Sequence, residues 1–153
     1  MSITLPKFLF AFVALLLVGA FSPVMAGMNV VTIEARAGNP SWQVELASDS
    51  ASRSRGLMYR QSMAPQTGML FRMEDSRVVT MWMKNTYIPL DMIFATQDGR
   101  ITHIHRGAVP HSLAHISSNG PVRFVLEVNA GEADKYGISV GDRLKHPWIL
   151  PTN

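Results

Sequence analysis

Apolar residues recur at every second position in this chain, in short runs cut off by turn-forming residues. Val31, Ile33 and Ala35 alternate with Thr32, Glu34 and Arg36, and Trp42, Val44 and Leu46 alternate with Gln43 and Glu45. A period of two is that of a half-buried strand, and it excludes an amphipathic helix over the same residues. Gly38-Asn39-Pro40 supplies a turn between the two runs, so they are expected to form a hairpin. Met69–Met73 and Val78–Lys84 read as buried strands. Leu90–Ala95 and Ile101–Arg106 flank an Asp98-Gly99 pair, a strong hairpin signal because both residues tolerate positive φ. Val122, Phe124, Leu126 and Val128 face one way, with Arg123, Val125 and Glu127 opposite. Asp49 is placed to cap a short helix from Ala51 to about Tyr59, with Gly56 weakening it, and Ala130–Tyr136 allows a second helix stopped by Gly137. Gly107–Gly120 reads as a loop, and Val140–Leu144 as a turn into a last strand. The pattern predicts a mainly β domain, a small sandwich or partly closed barrel with one or two short helices. Its core is expected to contain Val31, Ile33, Val44, Leu46, Leu70, Phe71, Met83, Leu90, Phe94, Phe124 and Leu126.

The first 26 residues follow a different grammar. Lys7 precedes an apolar run from Phe8 to Ala20, and Val24-Met25-Ala26 stands where a signal peptidase reads small residues. That run has 13 residues, short of the roughly 20 that span a bilayer. A secretory signal peptide over 1–26, cleaved near Ala26, is expected, with an uncleaved anchor as the alternative. The membrane is then met only through this segment during export, and the mature protein is periplasmic or secreted. Residues 27–153 suffice for one domain with a modest core. There is no cysteine, so an oxidising compartment contributes no disulfide. Without Lys7, 13 basic residues face 11 acidic ones, dispersed along the chain, and no basic stripe of the kind nucleic acid requires is formed.

Six ordered segments resemble one known family. They are Arg55-Gly56-Leu57-Met58 with Arg60, Gly68-Met69-Leu70-Phe71, Trp82-Met83-Lys84-Asn85-Thr86, Pro89-Leu90-Asp91-Met92-Ile93-Phe94, Leu126-Glu127-Val128-Asn129-Ala130-Gly131, and Gly137-Ile138 with Gly141-Asp142. The family is the uncharacterised domain-of-unknown-function family 192 of bacteria and archaea, often found behind a signal peptide. The resemblance covers about residues 31–145 and implies a single, predominantly β domain of sandwich or jelly-roll-like architecture. It implies no catalytic residues.

Residues 81–92 carry the densest chemistry. If Met81 and Met83 point to the core, Trp82 and Lys84 share the other face, Asn85-Thr86 sits at a turn, and Asp91 returns on the next strand. An indole, a cation, an amide and a carboxylate could converge on one small polar molecule, with Arg55 and Arg60 as anion-binding groups. The competing reading is a turn closed by Asn85, with Asp91 in an ordinary ion pair. A second candidate is copper or zinc held by Met81, Met83, His103 and His105, with His111 or His115 completing the site. Against it, methionine fills irregular cores and histidines are commonly exposed. Hydrolase chemistry finds little support: there is no Cys nucleophile and no Gly-x-Ser-x-Gly elbow. An Asp91–Glu127 carboxylate pair would need neighbouring strands, and Glu127 pairs more simply with Arg123. No phosphate-cradling glycine loop implies a nucleotide, and no cofactor is expected. The residues thus point to a non-enzymatic binding domain for a small polar ligand or a protein partner.

Overall fold

The computed structural model describes residues 29–150; the expected signal segment, 1–26, lies outside them. The chain order is β1 (Val30–Glu34), β2 (Ser41–Ala47), α1 (Ser50–Arg55), β3 (Thr67–Met81), β4 (Leu90–Ala95), β5 (Ile101–Ala108), β6 (Ile116–Asn129), α2 (Glu132–Lys135) and β7 (Arg143–Lys145). All seven strands join one sheet in the order β5-β4-β6-β3-β2-β1-β7. The β1–β2 hairpin forms as expected, with Val31 opposite Trp42, and β2 pairs with β3 in parallel. The remaining neighbours are antiparallel.

The sheet curls until its two edges touch. Ile101 N–H donates to Asp142 O and Leu144 N–H to Gly99 O, both at 2.8 Å. The Arg143 guanidinium adds bonds to Asp98 O at 2.9 Å and to the Asp98 carboxylate at 2.6 Å. A single sheet meeting itself is the partly closed barrel of the two expected architectures, and the two-layer sandwich does not occur.

Two apolar clusters follow from the curl. The enclosed face gathers Val31, Ile33, Trp42, Val44, Leu70, Ile93, Phe124, Leu126, Val128 and Leu144. The opposite face gathers Leu57, Met69, Phe71, Met83, Leu90, Met92, Phe94 and Val125. Every residue of β4 is therefore buried, as are Phe124–Val128 of β6. Of the expected core, only Leu46 is partly buried, packed against the enclosed cluster.

Three expectations are corrected. Met69–Met73 and Val78–Lys84 are not separate strands: one long β3 runs through an exposed irregularity opposite β6 and ends at Met81. The helix after Asp49 stops at Arg55, because Gly56 turns to φ 48°. Residues 116–120 extend β6 rather than forming loop: the Ser118 hydroxyl accepts from Val79 N–H and donates to Gly120 O.

Candidate functional site

Three segments converge over the outer cluster: the turn after α1, the stretch between β3 and β4, and the stretch after β5. Tyr59 N–H donates to Asn85 O at 2.8 Å, and the Asn85 amide donates to the Tyr59 hydroxyl at 2.9 Å. Met83 N–H reaches Ser112 O, and His111 N–H reaches Thr86 O. Each segment holds one non-glycine residue in the left-handed region: Tyr59 at φ 66°, Asn85 at 57° and His111 at 62°. Such residues persist where their surroundings over-determine them, and they gather at functional sites. Tyr87 packs between Tyr59, edge to face at a ring-centroid distance of 6.1 Å, and His111, tilted at 4.9 Å.

Beside this knot opens a cleft of about 300 Å³. Its walls are Phe71, Leu57, Met58, Met81 and Trp82, and its rim carries Arg53 and Arg55. Glu127, only 4% exposed, also lines it. In the sheet Glu127 lies directly between Met69 of β3 and Met92 of β4, so its side chain leaves the sheet on the outer face among apolar neighbours. Among the described residues nothing donates a hydrogen bond to this carboxyl. Burial pushes it up to about 8, from an ordinary 4.5. A near-neutral carboxyl at the bottom of a cleft can donate a hydrogen bond when protonated, or hold a cation when ionised.

The residues expected to converge are divided by the fold. Trp82, 46% exposed, lines the cleft with Arg55, and the Lys84 ammonium lies 5.2 Å from the indole centroid. Asn85 belongs to the adjoining knot and bonds Tyr59, not its own backbone. Arg60 is turned away, paired with Glu45 at 2.6 Å. Asp91 does not join this surface. It is fully buried on the enclosed face, where it accepts from Gly107 N–H and Gly131 N–H at 2.9 Å and from Ala133 N–H at 3.0 Å. It fastens α2 to β4, and among the described residues no Lys or Arg pairs with it. Asp91 and Glu127 lie on neighbouring strands but on opposite faces, since Asp91 stands opposite Val128 and Glu127 opposite Met92. The carboxylate pair a glycosidase would need therefore cannot form. The expected Arg123–Glu127 pair is also absent among the described residues.

The two halves of the metal candidate are likewise held apart. Met81 ends β3, Met83 is fully buried in the outer apolar cluster, and His103 and His105 lie on β5, which β6 and β4 separate from β3 in the sheet. His103 stacks on Phe94, and desolvation, with the charge of His105, lowers its pKa. Among the described residues no three His, Cys, Asp or Glu side chains cluster as metal ligands.

Glu127 is the residue that alternation misplaces. Val125-Leu126-Glu127-Val128 breaks the period of two, and a continuous apolar run marks a strand buried on both faces. A carboxylate inside such a run is the signal that could have singled it out.

The sequence profile of the DUF192 family, described as Uncharacterized ACR, matches residues 31–146. No curated protein matches the chain. Two crystal structures do. One, from Sinorhizobium meliloti 1021, is a provisionally assigned transcription regulator: 51% identical, TM-score 0.76, covering 78% of this chain and 93% of that one. The other, a protein of unknown function from Novosphingobium aromaticivorans DSM 12444, is 38% identical with a TM-score of 0.74, covering 76% and 83%.

Proposed function

The chain belongs to the DUF192 family, and from that premise we propose that it is an exported, non-enzymatic domain whose cleft over Glu127 binds a small polar ligand. The observation that carries this reading is the Glu127 carboxyl, buried among methionines and open only toward the cleft. Burying an unpartnered carboxyl costs several kcal/mol or about that, whereas Leu or Met at this position would add to the core. A ligand that meets the carboxyl recovers that cost at the moment of binding. The strained knot at Tyr59, Asn85 and His111 supports the same reading, since it braces the chain segments beside the mouth. Export rests on the apolar run from Phe8 to Ala20 and the Val24-Met25-Ala26 tripeptide.

The test is amide chemical-shift mapping of the isotope-labelled protein against a library of small polar metabolites. The expected result is a subset of compounds that moves the amides of Arg55–Met58, Met81, Trp82, Thr86 and Glu127 together. A library that leaves these amides in place refutes the reading.

A further inference from the structure

The geometry points to a small zwitterion as the ligand of this cleft, its ammonium group on Glu127 and its carboxylate on Arg55. This rests on the binding reading above and names the chemistry of what binds.

The two ends of the cleft carry opposite chemistry. Arg53, although on the rim, is already committed: its guanidinium donates to Ser48 O at 2.5 Å and to Arg72 O at 3.3 Å, and pairs with Glu74 at 2.8 Å. Arg55 is exposed and has no ion pair among the described residues. It is thus the rim cation with donors to spare, in the fork geometry that suits a carboxylate. At the buried end Glu127 has no ion-pair partner among the described residues. Lys84 lies over the indole of Trp82 and does not line the cleft.

The walls between these ends suit a cation on its way in. Phe71 and Trp82 present aromatic rings, whose π-faces attract an ammonium group, and Met58 and Met81 add polarisable thioethers. A bare amine would satisfy the floor but would meet Arg55 at the mouth as a like charge. A bare carboxylate would satisfy Arg55 and leave Glu127 unmet. One molecule bearing both charges answers both. A volume of about 300 Å³ lies at the lower end of small-molecule sites, which suits a ligand of amino-acid size.

Protons balance simply. Below about pH 8 the unliganded carboxyl is largely protonated. An incoming ammonium keeps its own protons, favours the ionised carboxylate, and Glu127 releases its proton to solvent. The charged groups around Glu127 are Arg53 and Arg55 from α1, Lys84 beyond Trp82, and His105, which follows Met92 along the same row of the sheet.

The experiment is calorimetric titration of the full chain at neutral pH with four probes. L-leucine and glycine betaine carry both charges, 3-methylbutylamine lacks the carboxylate of leucine, and 4-methylpentanoate lacks its ammonium. The expected result is that a zwitterion binds at least about tenfold more tightly than either single-charge analogue. Glu127→Gln should weaken the zwitterion and the amine but spare 4-methylpentanoate, and Arg55→Ala should weaken the zwitterion and 4-methylpentanoate but spare the amine. Leucine titrations in buffers of different ionisation enthalpy should report proton release in the wild type and none in Glu127→Gln. Equal affinity for leucine and 4-methylpentanoate, or for leucine and the amine, overturns the zwitterion assignment while the cleft remains a binding site. No binding of any probe also overturns it, and shift mapping of the cleft amides with the wider library then tells whether the cleft binds at all.

Discussion

Replacing Glu127 with glutamine should remove a loss of stability that this protein suffers as pH rises toward 8. In the unfolded chain the carboxyl titrates at its ordinary 4.5, whereas burial in the fold holds it up to about 8. At about 1.4 kcal/mol per pH unit, that difference comes to about 5 kcal/mol. The folded state holds the proton more tightly than the unfolded state. Stability linked to Glu127 is therefore complete below pH 4.5, declines as pH rises, and is gone above about pH 8. Most paired carboxylates act in the opposite sense, being stabilising above their unfolded pKa. Against a total of about 5–15 kcal/mol for a domain, the loss is large. Water drawn into the cleft on ionisation reduces it, so about 5 kcal/mol is a ceiling. The assay is urea unfolding of wild type and Glu127→Gln from about pH 5 to about pH 8.5. Subtracting the two curves cancels the other titrating groups, and the difference should grow in favour of the glutamine variant by up to about 1.4 kcal/mol per pH unit. Parallel curves would refute the argument, because they would mean that Glu127 is already ionised or already compensated in the fold.

Asp91→Ala removes the acceptor of three backbone N–H groups and should cost about 3 kcal/mol or more in urea unfolding, with Asp91→Asn costing less; a change under about 1 kcal/mol would deny its role in fastening α2. Gly68→Ala would place a Cβ 2.2 Å from the Glu127 carbonyl oxygen, forcing β3 and β6 apart, and should lower stability by about 1–3 kcal/mol or more. Thermal melts of that variant check it, and an unchanged midpoint would show that the strands have room. Mature protein recovered after export should begin at Gly27; a sequence starting at Met1 would remove the case for cleavage.

What could be read from the chain was decided by local chemistry. Val31, Ile33, Trp42 and Val44 alternate because β1 and β2 bury one face only, and Asp98-Gly99 needs no tertiary partner to declare a turn. Asp49 caps α1 through Ser52 N–H within three residues, so its role was equally visible. The rest depended on contacts distant in sequence. Ser117–Gly120 looks like loop until β3 supplies Val79 to pair with Ser118. Asp91 looks like a surface acid until the amides of Gly107, Gly131 and Ala133 are brought to it. Within the candidate site, Trp82 and Arg55 could be picked out by residue type, but the floor of the cleft could not. In the sequence Glu127 is marked only as an acid inside an apolar run, and its place beneath the cleft follows when β3 and β4 flank it with methionines.

The contact between Gly99–Ile101 and Asp142–Leu144 also bears on the order in which the chain is made. β7 has three residues, yet it covers β1 along one side and meets the start of β5 on the other. Until it is synthesised, two open strand borders remain, each offering unpaired backbone groups to any other chain. A nascent polypeptide that stops short of Arg143 is therefore sticky by construction, and one that has passed Lys145 can cover β1 and bring the two borders together at the start of β5. Escort of the unfinished chain matters most before β7 emerges.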